Sequence, residues 1–299
     1  MRDLIGHTPL VKINYAFEQA EGVNLFAKLE YYNPSGSVKD RTGLYMVEDA
    51  IKDGRLKRGS TIVEATAGNT GLGVAFAALN YGFHVIFVVP EKFSEEKQIL
   101  MKALGADIIH IKREDGMLGA AAKAQELLSE IKDSISLQQF KNMSNPKAHY
   151  ETTGPEIYQD LDGKIDYLVA GAGSGGTYSG VVKFLKEQNR NIKGILADPV
   201  GSTMGGGEHA DYDIEGIGND FIAETMDMSL VDKVIKINDT QAFDGARSLA
   251  RHEGILGGSS TGAAFSAALK LIYEHHVKGN IVFIAPDSGD RYFSKHLYA

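Results

Sequence analysis

Runs of apolar, β-branched residues alternate along the chain with segments whose apolar positions recur every three or four residues. The runs Asn24–Glu30, Thr61–Glu64, His84–Val89 and Asp107–His110 are predicted as strands; Asp40–Asp53, Asn69–Tyr81, Ser94–Leu104 and Leu118–Glu130 are predicted as helices. A second series follows, with strands at Tyr167–Ala170, Gly194–Ala197 and Ile281–Ala285 and helices at Thr177–Glu187, Thr240–Glu253 and Gly262–Tyr273. Strand-helix alternation of this kind predicts a parallel sheet covered on both faces. Two such series predict an α/β protein of two open parallel-sheet lobes. The join is expected near Leu137–Pro155, where no Pro/Gly/Ser-rich linker separates the halves, so the lobes are expected to share an interface. The smaller lobe is placed over 36–145 and the larger over 1–35 plus 146–299.

Composition narrows what such lobes can do. The 34 glycines cluster in a few loops, and those following predicted strands fall where open α/β sheets bind ligands. The chain has no cysteine, which removes disulfides, thiolate metal sites and a cysteine nucleophile and suits a reducing cytosol. A formal net charge of −8 argues against nucleic acid as a partner, so any anionic ligand must be held locally. No window approaches the roughly 18 uninterrupted apolar residues of a membrane span, and neither a leader peptide nor a membrane anchor is expected.

Four glycine- or hydroxyl-rich segments stand at predicted helix starts, and a fifth forms a loop. In Asn33-Pro34-Ser35-Gly36-Ser37-Val38-Lys39-Asp40-Arg41, a lysine occupies a position that the helix dipole disfavours for a cation. A cleft there would depress its pKa and make it a Schiff-base former; the plain alternative is a solvated lysine beside a capping serine. Glu64-Ala65-Thr66-Ala67-Gly68-Asn69-Thr70-Gly71 offers amides and hydroxyls to a carboxylate or phosphate, or else Asn69 or Thr70 simply caps the helix. Gly171-Ala172-Gly173-Ser174-Gly175-Gly176-Thr177 lets backbone approach an anion closely and is read as a phosphate cradle. Its Gly171, Gly173 and Gly176 also fit the dinucleotide pattern, with Asp198 about 20 residues further on, so a nicotinamide oxidoreductase is a rival reading. Gly257-Gly258-Ser259-Ser260-Thr261-Gly262 could present a hydroxyl to a ring nitrogen or cap its helix. Ile214-Glu215-Gly216-Ile217-Gly218-Asn219-Asp220-Phe221 is a glycine loop that could line a cleft or turn the chain. No P-loop, H-E-x-x-H or G-x-S-x-G pattern occurs, which disfavours nucleotide hydrolysis, zinc proteolysis and α/β-hydrolase chemistry, and no metal site is expected.

In order along the chain, Gly6-His7-Thr8-Pro9-Leu10, the segments around Lys39 and Asn69, Gly173-Ser174-Gly175-Gly176-Thr177, Glu215-Gly216-Ile217-Gly218 and Gly258-Ser259-Ser260-Thr261-Gly262 resemble the cysteine synthase and cystathionine β-synthase family. The resemblance implies the fold-type-II, tryptophan-synthase-β-like architecture, with pyridoxal 5'-phosphate in the cleft between the lobes. It implies that Lys39 holds the cofactor as a Schiff base and serves as base and acid at the substrate Cα. Asn69 would bond the ring hydroxyl, Gly173, Ser174, Gly175, Gly176 and Thr177 the phosphate, and Ser260 the ring nitrogen. Thr66, Ala67, Asn69, Thr70 and Gln139 would hold the substrate carboxylate, with Gly216 and Asp220 also placed at the substrate.

The implied reaction is β-replacement on serine, O-acetylserine or cysteine by a thiol, through an aminoacrylate. Glu215-Gly216-Ile217-Gly218-Asn219-Asp220-Phe221-Ile222 and Ala65-Thr66-Ala67 look most like bacterial cystathionine β-synthases that use O-acetylserine. Cysteine synthesis from sulfide, or cysteine elimination with release of hydrogen sulfide and formation of lanthionine, is the alternative. Asp220 could bias the enzyme toward sulfide release, though a carboxylate capping a loop is the plainer reading. Without cysteine, no haem thiolate exists. Small amino acids and a thiol are the expected partners, the cytoplasm the expected location and a homodimer the expected assembly.

Overall fold

The computed structural model describes residues 2–18, 20–66, 68–79, 81–91 and 95–299. The chain divides into two compact units: one joins the segment ending at Ile5 to Lys39–Asn145, and the other joins Gly6–Val38 to Pro146–Ala299. The elements in chain order are β1 (Leu10–Lys12), β2 (Val23–Leu29), α1 (Lys39–Lys52), β3 (Thr61–Ala65), α2 (Asn69–Ala78), β4 (His84–Pro90), α3 (Glu95–Ala103), β5 (Asp107–Ile111) and α4 (Gly116–Glu130). They continue with β6 (Ser134–Ile135), α5 (Ser144–Ala148), α6 (Gly154–Asp160), β7 (Tyr167–Gly171), α7 (Gly176–Gln188), β8 (Lys193–Pro199), β9 (Lys233–Ile237), α8 (Asp239–Glu253), α9 (Ser259–Tyr273) and β10 (Gly279–Ala285).

In the first unit, four strands pair in parallel in the order β5-β4-β3-β6. Neighbouring residues of a strand point to opposite faces, and here both faces are buried. Ile62 and Phe87 pack with Met46, Val47 and Leu72 of α1 and α2, whereas Val63 and Val88 pack with Ala120, Ala124 and Leu127 of α4. That two-sided burial is why β4 reads as an apolar run from Val85 to Val89 and why adjacent positions Ile62 and Val63 of β3 are both apolar.

The second unit holds a six-stranded sheet in the order β1-β2-β10-β7-β8-β9, parallel except for β1 against β2. Val169, Ile195 and Phe283 face Leu249 and Phe265 of α8 and α9. Leu168, Leu196 and Val282 face Val181, Val182 and Leu185 of α7. The fold class is the one expected.

The structure departs from the expected boundaries in four places. The first unit begins at Lys39 rather than 36, because Ser37 bridges to Asp287 and the Val38 amide donates to the Pro286 carbonyl, tying both to the second unit. The segment ending at Ile5 belongs with the first unit, where Ile5 packs on the core and Arg2 pairs with Glu48. α2 ends at Ala78, earlier than Tyr81, because Leu79 turns to extended backbone. β9, whose segment Lys233-Val234-Ile235-Lys236 has a lysine at each end, escaped the search for apolar runs.

Candidate active site

Lys39 is the first residue of α1 and is followed by the buried Asp40, Arg41, Thr42 and Gly43. Gly43 crosses α2 where a Cβ would stand 2.8 Å from the Val74 nitrogen, so the two helices touch through their backbones. The start of α2 is capped by Gly68 in extended backbone, without a side-chain cap bond, so neither Asn69 nor Thr70 performs that role. Thr70 instead donates its hydroxyl to Gln139 Oε1 at 2.6 Å. The Gln139 backbone carbonyl accepts from Asn145 Nδ2 at 2.9 Å, and Asn145 Oδ1 accepts from the Thr42 hydroxyl at 3.1 Å.

Gln139 is thereby held at both main chain and side chain. With its amide oxygen occupied, its NH2 is the group left to donate. The uncapped amides at the start of α2 add further donors, the arrangement that receives a carboxylate. Thr66 is buried beside them and Asn69 is partly buried. Ala67 lies outside the described residues.

In the second unit, β7 runs into a loop that turns its carbonyls away from the start of α7. The Ala172 carbonyl accepts from the Gly218 amide at 2.8 Å, that of Gly173 from Asn219 Nδ2 at 2.6 Å, and that of Ser174 from the Thr225 hydroxyl at 2.5 Å. Packing this tight demands glycine. A Cβ at Gly173 would stand 2.5 Å from the Gly216 oxygen, and one at Gly175, which is left-handed at φ +81°, 2.7 Å from Met226 Cα. Gly175 also caps α7 with no side chain, so Gly176 and Thr177 open a 13-residue helix whose first amides are presented to an anion. By contrast, α8 closes its start with a capping box between Asn238 and Gln241.

Thr177 Oγ1 shares a hydrogen bond with His149 Nε2 at 3.2 Å, while His149 Nδ1 meets Thr153 Oγ1 at 2.9 Å. His149 is buried in the π-helical turn His149–Thr153. No motif of the sequence singles it out, because π-helical geometry at residues 149–153 leaves no spacing signal.

The two serines at the start of α9 differ. Ser259 Oγ accepts the Glu215 amide at 3.0 Å, whereas the hydroxyl of Ser260, a residue only 2% exposed, makes no such bond among the described residues. Gly216 is exposed with φ +85°, and Asp220 is exposed. The anchor of that loop is Asn219: its amide donates to Ser202 Oγ at 3.1 Å, and its carbonyl accepts the Ser202 hydroxyl at 3.0 Å.

Asp198 does not fit the dinucleotide reading. It is buried and bound to Lys236 at 2.5 Å and to the Gly205 amide at 3.0 Å, so its Oδ2 clamps a loop and is not offered to a ribose. The residues fit pyridoxal phosphate instead: an amine at Lys39, a glycine cradle from which a Cβ is excluded, and a neutral hydroxyl on the buried residue Ser260.

The profile of the family described as "Pyridoxal-phosphate dependent enzyme" matches residues 1–287. The O-acetylserine dependent cystathionine beta-synthase of Bacillus subtilis (strain 168) is 50% identical over 296 residues, covering 99% of this chain and 96% of that protein. A cysteine synthase of Helicobacter pylori (strain J99 / ATCC 700824) is 43% identical over 302 residues, covering 100% and 98%. The crystal structure of an O-acetylserine dependent cystathionine beta-synthase from Helicobacter pylori superposes with a TM-score of 0.93 at 43% identity, over 100% of this chain and 98% of the other. With a glycine cradle, a helix-start lysine and relatives of this identity along its length, the chain belongs to the family of pyridoxal-phosphate dependent enzymes.

Proposed function

We propose that this enzyme performs β-replacement on O-acetylserine, serine or cysteine with a thiol acceptor, with homocysteine favoured and cystathionine as product. The observation that carries the reading lies within the first unit. Lys39 opens the helix that lies against α2, and α2 brings Thr70 to Gln139 at 2.6 Å, leaving the Gln139 NH2 to donate to an amino-acid carboxylate.

Pyridoxal phosphate, when bound, supplies an electron sink for the pair released at Cα. The Lys39 amine holds the cofactor, removes the Cα proton and later returns one, so base and acid are a single group already in place. Gln139, with Thr66, Ala67, Asn69 and Thr70, holds the donor carboxylate and so orients the Cα–H bond toward that amine. Asn69 also takes the cofactor's ring hydroxyl, and Gly173, Ser174, Gly175, Gly176 and Thr177 hold its phosphate. Ser260 offers a neutral hydroxyl to the ring nitrogen; unlike a carboxylate it does not enforce ring protonation, which favours prompt loss of the β-substituent. Gly216 and Asp220 are assigned to the acceptor side of the substrate site.

A second reading, cysteine synthesis with sulfide as acceptor, is supported by the name of the Helicobacter pylori relative. A cytoplasmic homodimer completes the proposal, the cysteine-free composition supporting the compartment.

The test is direct. The purified protein should be yellow, and borohydride followed by peptide mapping should fix the cofactor on Lys39. Mass spectrometry over a grid of the three donors against homocysteine, cysteine and sulfide should then show cystathionine from O-acetylserine as the fastest product. A colourless protein that takes up no added pyridoxal phosphate would overturn the reading. Sulfide outpacing homocysteine would select the second one.

A further inference from the structure

Glu64 is the one residue of β3 whose chemistry its position does not call for. Its neighbours Ile62 and Val63 are core residues, and it directly precedes the Ala65-Thr66 end of the carboxylate receptor. Burial, the largest influence, pushes its carboxyl above the usual range even though three donors oppose the shift. Those donors come from three consecutive residues and converge on one oxygen. Oε1 accepts the Ser136 hydroxyl at 3.0 Å, the Gln138 amide at 3.1 Å and the Leu137 amide. Successive amides focused on one anion form a nest, and here the anion is a side chain of the protein itself.

The nest has a consequence for its last member. Gln138 is held at φ +52°, a left-handed conformation that a residue with a Cβ rarely adopts unaided. Its carbonyl then accepts the amides of Lys141 and Asn142, both at 2.9 Å, and closes the turn. Gln139 is the first residue inside that turn, and the direction its backbone takes is set by Gln138. Fixing Gln138 therefore fixes where the Gln139 amide meets Thr70.

We propose that Glu64 is a positioning residue for the amino-acid donor: it holds the Ser136–Gln138 turn so that Gln139 presents its amide to the donor carboxylate, and it thereby governs donor affinity rather than cofactor binding. The inference rests on the assignment of Gln139 as a carboxylate ligand made above.

The test uses the holoenzyme and steady-state kinetics in the donor. Glu64→Ala should raise KM for the donor on the order of tenfold, with kcat and the cofactor's visible spectrum within about twofold of wild type, as for the loss of binding shared by ground and transition states. Glu64→Gln keeps a carbonyl oxygen at the same reach and should recover most of that KM. Gln139→Ala serves as the reference, and Glu64→Ala combined with Gln139→Ala should be no worse than Gln139→Ala alone, because both act through one contact. If Glu64→Ala does not fold, Ser136→Ala removes a single donor and should raise KM roughly twofold to threefold.

Unchanged KM in Glu64→Ala, or in Ser136→Ala where Glu64→Ala cannot be made, overturns the inference when Gln139→Ala does raise KM. Additive effects in the double variant, or an effect confined to kcat or cofactor loading, overturn it as well. Unchanged KM in Gln139→Ala overturns the underlying assignment and the inference with it.

Discussion

Gly73 lies against the carbonyl of Lys39: a Cβ at position 73 would stand 2.6 Å from the Lys39 carbonyl carbon. The helix that begins with the amine is thus set by backbone contact against the helix whose first turn is left uncapped. Gly73→Ala brings two opposed effects. The gain in helix propensity is about 1 kcal/mol, and the overpacking costs about 1–3 kcal/mol. The contact should win, because its partner is main chain and cannot rotate away. Denaturant unfolding should show a net loss of stability, and borohydride should fix less cofactor on Lys39. Full stability with full loading would mean that the crossing yields easily.

Thr70 orients Gln139 rather than capping α2. Thr70→Val removes the donor while keeping the shape. It should raise KM for the amino-acid donor severalfold, in line with the roughly 1 kcal/mol of a typical hydrogen bond. The cofactor spectrum should be unchanged. Thr70→Ser should retain near-normal KM, and a Thr70→Ser enzyme as weak as Thr70→Val would count against an orienting hydroxyl.

Asn219 joins the glycine loop at 214–221 to the cradle through the Gly173 carbonyl. Asn219→Ala leaves that part-buried carbonyl without its partner, at a cost of about 1 kcal/mol. Titration of the apoenzyme with pyridoxal phosphate should show affinity reduced on the order of tenfold, and equal affinity would mean that the cradle keeps its shape unaided.

Asp232 precedes β9 and binds Lys186 at 2.6 Å, Lys193 at 3.3 Å and the Gly194 amide at 2.8 Å. Burial alone would raise its carboxyl, but the Lys186 bond, the Gly194 amide and Lys193 together hold it below the usual carboxylate range. A folded-state pKa below the unfolded one stabilises the fold above the unfolded value, and that stability is lost as pH falls through the folded value. Asp232→Asn should therefore unfold more readily than wild type at neutral pH, with the gap closing under acid conditions. Chemical denaturation at both pH values measures it, and a gap independent of pH would rule out the charge as its source.

Much of the fold was legible because its signals are local. Buried strands such as His84–Pro90 and Gly279–Ala285 announce themselves as apolar runs, and uncapped helix starts announce themselves as glycine loops. The three-residue β1 and the lysine-bearing β9 were missed for the same reason, being too short or too polar to stand out locally.

What the amino-acid order determined by itself was the two-series α/β plan, the loops that follow its strands, and the placement of Lys39, Asn69, the Gly173–Thr177 cradle and Ser260 at or before helix starts. Only the tertiary structure decided that Thr70 turns to Gln139, that His149 backs Thr177, that Asp198 is bound to Lys236 and that Glu64 gathers the turn before Gln139. Those partners lie 69, 28, 38 and 74 residues apart. Hydrophobic period and turn chemistry act over a few residues, whereas these bonds form only after packing has brought distant segments within hydrogen-bond reach.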